Sequence, residues 1–152
     1  MSANTKVYHF STSVEWTKEH QGLAHAPGKP SIPVACPPVF CKGSPSDMWS
    51  PEEFFVSSYE VCVLLSFISQ AKRNRVIFTS YTSEAKGKIE FVNNELMFSE
   101  ITLKIHIEVP EDQDIAAVKK ALADSKQRCL ISASMKTAVK IEAEIVNVQP
   151  AA

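Results

Sequence analysis

Glycine is scarce in this chain, with four residues in 152. That leaves little material for phosphate-cradling loops, and no G-x-x-x-x-G-K-[ST], G-x-G-x-x-G or G-x-S-x-G run occurs. A surplus of one charge is also lacking. The formal net charge is -1, so the molecule carries no basic field for nucleic acid or for acidic membranes. Lys119, Lys120, Lys126 and Arg128 form only a modest basic stripe, expected to be a solvated helix face. Long apolar runs are missing too. The longest, Val61 to Ile68, is broken by Ser66, whereas a membrane span needs about 20 apolar residues. The N-terminal stretch MSANTKVYHFSTSVEW has no apolar core, so no secretory signal is expected there. These absences predict a soluble cytoplasmic protein with neither nucleic acid nor membrane as a partner.

What is present is ordinary globular material: 45% hydrophobic and 22% charged residues, enough for one domain over residues 1–152. The four cysteines are Cys36, Cys41, Cys62 and Cys129. In a reducing compartment these are expected as free thiols, metal ligands or redox catalysts rather than structural staples. Cys36-x4-Cys41 with His20 and His25 is a loose spacing for zinc, and Pro37 and Pro38 intervene, so no metal is expected. Cys36 and Cys41 are instead expected to line a loop, with Val39 and Phe40 packing inward.

Residues 5–16 alternate weakly and predict a strand, and residues 17–26 a turn into a second one. Residues 27–51 hold seven of the nine prolines, which excludes a regular helix and leaves room for a short strand over 31–35 and a stiff loop. Ser50-Pro51-Glu52-Glu53 is a helix start, with Ser50 as cap, Pro51 in the first turn and Glu53 closing an S-x-x-E capping box. Nothing interrupts the helix before about Arg73, so it is a rod of about 33 Å. Its middle is apolar nearly all round, which predicts burial on most sides and a partner chain to help cover it. Two strands over 76–92 and 96–109 meet at Asn93-Asn94. In the second, Ile101, Leu103, Ile105, Ile107 and Val109 alternate with Thr102, Lys104, His106 and Glu108, giving one buried and one wet face, with His106 on the wet one. Pro110 ends that strand. Asp112 or Asp114 then caps a second helix over about 114–129, and residues 137–148 form a last strand.

Cys62 sits mid-helix among Phe55, Ser58, Leu65, Ser66 and Ser69 on one helical face. If the second helix is continuous, Cys129 shares an arc of about 60° with Ile115, Val118 and Leu122. Both thiols then point at apolar interior, where core packing accounts for them as readily as chemistry does. Trp16, Phe40, Trp49 and Tyr59 fit either the wall of an apolar pocket or plain packing.

The run Trp49-Ser50-Pro51-Glu52-Glu53-Phe54-Phe55-Val56-Ser57-Ser58-Tyr59-Glu60-Val61-Cys62 resembles the signature of the OsmC/Ohr family of thiol-dependent hydroperoxide reductases. There a Pro-Glu pair opens the central helix and the peroxidatic Cys follows ten residues after the Glu, as Glu52 and Cys62 do here. Cys129-Leu130-Ile131-Ser132 is similar to the second motif, which carries the resolving thiol. The resemblance covers residues 6 to 147. It implies an α+β fold in which a long central helix is wrapped by antiparallel sheets, in an intertwined homodimer. It implies an organic hydroperoxide as substrate, Cys62, Cys129 and Glu52 as catalytic residues, and no metal or organic cofactor. The implied cycle runs through a Cys62 sulfenic acid and a Cys62–Cys129 disulfide, reset by a dithiol reductant such as a lipoyl-linked one.

Two features temper the transfer. Ten helical residues place Glu52 about 15 Å along the axis from Cys62, so within one straight helix it serves a neighbouring chain's thiol. Family peroxidases also use an N-terminal Arg, roughly forty residues before the reactive Cys, whose planar fork a lysine does not reproduce. The arginines here are Arg73, Arg75 and Arg128; Trp16, Lys18 and His20 occupy the expected neighbourhood. Lys18 or His20 is the candidate replacement. The competing readings are a non-catalytic OsmC-like protein that binds an apolar small molecule at the dimer interface, and a general thiol redox protein acting on disulfides.

Overall fold

The computed structural model describes residues 6–149. The order of elements is β1 (Ser13–Lys18), β2 (Gln21–His25), β3 (Ile32–Ala35), α1 (Pro51–Arg73), β4 (Ser80–Val92), β5 (Glu95–Pro110), α2 (Ile115–Gln127), α3 (Leu130–Ala133) and β6 (Ala138–Val148). The fold is α+β, with two three-stranded sheets and one long helix. The chain divides into two compact units, Met1–Phe54 and Phe55–Ala152. The division falls in the first turn of α1.

In the N-terminal unit β1, β2 and β3 form an antiparallel sheet in chain order. The strand expected over 5–16 begins later. Ser13 pairs with His25, the last residue of β2, so residues 6–12 have no partner ladder and stay exposed. Residue 5 lies outside the described residues. The proline segment brings a clear correction. Cys36 and Cys41 are joined in a disulfide, not free. The backbone N–H groups of Phe40 and Cys41 both donate to the Pro37 carbonyl, at 2.9 and 3.0 Å. That turn leaves the two Cα atoms 5.9 Å apart, within the range a disulfide needs. The same turn carries Val39 (82% exposed) and Phe40 out to the surface, not inward.

Helix α1 opens as its sequence requires. The Ser50 N–H donates to Glu53 Oε2 at 2.9 Å, and the Glu53 N–H donates to Ser50 Oγ at 3.2 Å. This reciprocal pair satisfies two donors that a helix start leaves orphaned. Glu52 and Glu53 sit at the positive end of the helix, Lys72 and Arg73 at its negative end.

The C-terminal unit is built on β5. Ile101, Leu103, Ile105, Ile107 and Val109 are all buried, while the residues between them carry the charged outer face. There His106 Nδ1 lies 2.8 Å from Glu144 Oε2, and Lys140 reaches Glu100 at 3.8 Å. Strands β4 and β5 meet in a two-residue turn at Asn93 and Asn94, both in the left-handed region (φ 50° and 67°). Asparagine tolerates that conformation, and such turns match the twist of a hairpin. The second sheet is mixed, not wholly antiparallel: β6 runs parallel to β5, from Glu100↔Ala138 to Pro110↔Val148. Parallel neighbours need a crossover, which α2 and α3 supply.

The buried face of β5 receives Tyr59, Val63, Phe67 and Ala71 of α1 and Val118, Ala121 and Leu122 of α2. Phe67 packs against Phe78 and Tyr81, with ring centroids 5.2 and 5.6 Å apart. The opposite side of α1 is uncovered in the single chain. Val61, Leu65 and Ile68 are exposed, Leu65 by 58%. By length and composition alone α1 is apolar enough to cross a membrane, and 28% of its apolar window is buried inside this chain.

The second helix is shorter than the expected 114–129. Asp114 caps it, accepting the Ala116 N–H at 2.9 Å, and it ends at Gln127 with Arg128 as C-cap. Cys129 is therefore not a helical residue of α2 but the N-cap of α3. It is buried nonetheless, although the continuous helix on which the shared arc depended does not form.

Candidate functional site

The two free thiols, Cys62 of α1 and Cys129 before α3, come together in the C-terminal unit, where Cys62 packs against the buried cluster that holds Cys129. Their environments differ. Cys62 is half-buried and lines an open groove of about 560 Å³. Cys129 is 1% exposed and belongs to the core. Burial pushes the Cys129 thiol up; the nearby Cys62 adds to that, and the Ser132 backbone N–H, donating to Cys129 Sγ at 3.4 Å, partly opposes it. Desolvation dominates because a thiolate loses more than a thiol on leaving water. The Ser132 hydroxyl also donates to the Cys129 carbonyl at 3.1 Å. The Cys-x-x-Ser spacing thus has a local purpose: both groups of Ser132 hold Cys129 at the start of α3.

The groove in front of Cys62 is apolar in effect. Val61 and Leu65 wall it from α1, Leu130 and Ile131 from α3. The serines expected around the thiol, Ser58, Ser66 and Ser69, line it as well. Two of their hydroxyls are spent on the helix itself: Ser58 donates to the Phe55 carbonyl at 2.8 Å and Ser69 to that of Leu65 at 3.2 Å. The one charged side chain among the lining residues is Arg128, which the sequence reading had left on a solvated basic stripe. Its adjacency to Cys129 was the available signal.

The sequence model of the OsmC-like protein family matches residues 43–144, which takes in both cysteine motifs. This chain belongs to the OsmC-like family. The OsmC-like fold is seen in solved structures as well. An OsmC-like protein of unknown function from Vibrio cholerae is similar over 91% of this chain and all of its own, with a TM-score of 0.84 and 20% identity. An organic hydroperoxide resistance protein from Elizabethkingia anophelis covers 94% of this chain and 99% of its own, at a TM-score of 0.68 and 18% identity. The organic hydroperoxide resistance protein OhrB of Bacillus subtilis covers 91% and 98%, at 0.61 and 12%. At these identities the likeness is one of fold. Among curated proteins no sequence matches.

In this OsmC-like chain Glu52, Lys18 and His20 belong to the N-terminal unit, whereas the thiol pair belongs to the C-terminal one. Glu52 is in the N-terminal unit, where it lines a hollow of about 950 Å³; its Oε2 is buried and finds no hydrogen-bond partner. Lys18 and His20 are exposed residues of that same unit. Of the four aromatics weighed as a pocket wall, Trp16 lines the N-terminal hollow, Phe40 and Trp49 are exposed in that unit, and Tyr59 is in the core of the other. Among the described residues no group of three or more metal-ligating side chains occurs.

Proposed function

We propose that this OsmC-like protein is a thiol-dependent peroxidase that reduces organic hydroperoxides. The observation that carries the reading is the approach of its two free thiols, one facing an apolar groove and the other sealed behind it. The names of the Elizabethkingia and Bacillus structures, organic hydroperoxide resistance proteins, lend it support.

The difference in burial assigns the roles. Cys62, open to the groove, meets the peroxide. Its thiolate sulfur attacks the outer peroxide oxygen, the O–O bond breaks, and the alkoxide takes a proton to leave as an alcohol. Cys62 is then a sulfenic acid. Cys129 attacks that sulfur, an S–S bond replaces the S–O bond, and water leaves. A dithiol reductant exchanges with the disulfide and restores both thiols. The apolar lining from Val61, Leu65, Leu130 and Ile131 suits the organic part of such a substrate.

Glu52 and a homodimer belong to the same proposal. Supporting them are the unpartnered Glu52 Oε2 and the uncovered apolar side of α1. A buried carboxylate oxygen without a donor, and exposed leucine and isoleucine on a core helix, both fit completion by a second copy.

A second reading draws on the same groove: a non-catalytic protein that binds an apolar small molecule. The absence of arginine from β1 to β3 favours it. Thiol counting separates the two. Cumene hydroperoxide added to the protein should consume both free thiols per chain, and Cys62→Ser should abolish the loss. No loss over hours would refute the peroxidase and leave the binder.

A further inference from the structure

Tyr59 stands three residues before Cys62 on α1, so the two side chains leave the same face of the helix. The residue is 0% exposed and shares the core cluster with Cys129. Its hydroxyl is buried and has no hydrogen-bond partner among the described residues. A phenol is kept in an apolar core at a cost when its donor goes unused, since phenylalanine fills the same space. Both sulfurs lie near the residue, Cys129 in the same buried cluster and Cys62 one turn along α1; burial above all, then charge on Cys129 and on Cys62, pushes the phenol up to about 12.

We propose that Tyr59 is a catalytic hydrogen-bond donor of the thiol pair, its O–H donating to the oxygen that Cys62 acquires and holding it for resolution by Cys129. The inference rests on the peroxidase reading. In the reduced protein the donor waits without a partner. When Cys62 takes an oxygen from the peroxide, that oxygen is the missing acceptor. Cys129 then gives up its proton and attacks the Cys62 sulfur. The S–S bond forms, the S–O bond breaks, and the departing oxygen leaves as water, carrying the hydrogen it held as sulfenic acid and the proton from Cys129. Tyr59 stays protonated throughout, as a phenol raised by burial does. Its contribution is to stabilise charge as it develops on the leaving oxygen, from a hydroxyl that is itself buried.

Tyr59→Phe tests this, because it removes the hydroxyl and keeps the ring. The full-length variant is mixed with one equivalent of cumene hydroperoxide. Sulfenic acid is followed by dimedone capture on Cys62, and the Cys62–Cys129 disulfide by mass. The expected result is an unchanged first step and an unfolding midpoint that is not lowered, as removal of an unpaired buried hydroxyl requires, with disulfide formation slowed about 100-fold, the loss typical of a deleted transition-state donor. The dimedone adduct then becomes the main product. Disulfide formation at the wild-type rate overturns the role of Tyr59 while leaving the peroxidase reading intact. A wild-type protein that loses no thiols overturns both.

Discussion

Cys62, in the middle of α1, packs against the buried cluster that holds Cys129, the N-cap of α3. Neither cysteine is near the other in sequence, and no local rule joins them. They meet because α1 lays its Tyr59–Val63–Phe67 face on β5, and the crossover from β5 to β6 returns across the same face. Only one sulfur of the pair opens to the groove, and this asymmetry gives the two thiols different tasks.

Replacing Cys129 by serine should stop the cycle after its first step. Cys62 is then expected to accumulate as a sulfenic acid, captured by dimedone and visible as a mass increment on the α1 peptide, with multiple turnover lost. Steady turnover in Cys129→Ser with a dithiol reductant would exclude Cys129 as the resolving thiol.

The two buried phenols should titrate late. Tyr59 and Tyr81 are both pushed up from 10.0 to about 12, each chiefly by burial; charge on Cys129 adds to the first and charge on Glu60 to the second. In each case folding favours the protonated phenol. The stability tied to that preference is fully present below pH 10 and is lost as pH rises through about 12, because the unfolded chain ionises first. Phenolate absorbance should therefore lag behind that of the unfolded protein between these limits, and urea midpoints should fall over the same window. Full ionisation of all tyrosines at pH 10 in the folded state would contradict the burial of both hydroxyls.

Gly87→Ala should destabilise the C-terminal unit without touching a thiol. Gly87 faces Ile101 across β4 and β5, and a Cβ there would stand 2.6 Å from both Phe98 Cε1 and Val56 Cγ2. Phe98 is itself stacked on Phe55, with centroids 4.7 Å apart, so the ring has little room to yield. Overpacking of this kind costs about 1–3 kcal/mol, measurable as a lowered denaturant midpoint with unchanged slope. An unshifted midpoint would mean that Phe98 moves freely.

Local chemistry made several elements readable before any coordinates. Ser50-Pro51-Glu52-Glu53 started α1, Asp114 capped α2, Asn93-Asn94 turned the hairpin, and the period of two in β5 sorted its buried face from its wet one. Each depends on groups only a few residues apart. The end of α2 was less legible, because no Gly or Pro lies between Asp114 and Cys129. The helix stops where the Arg128 N–H turns to the carbonyls of Asp124 and Ser125. The Cys36–Cys41 bond was misread because a reducing compartment was assumed for all four cysteines, whereas the turn that closes around the Pro37 carbonyl brings these two within bonding distance. Val39 and Phe40 were expected inside on apolar character alone, which is no guarantee of burial.

By itself, the sequence determined where helices begin, which face of β5 is greasy, and that a thiol sits among small and apolar side chains on α1. These follow from capping, periodicity and side-chain chemistry, all short-range. The tertiary structure alone decided that β6 lies parallel to β5, that Arg128 borders the thiol groove, and that the Tyr59 hydroxyl is left without a protein partner. Alternation records which face of a strand is buried but not the direction of its neighbour, and the surroundings of a side chain are set by segments far away in the chain.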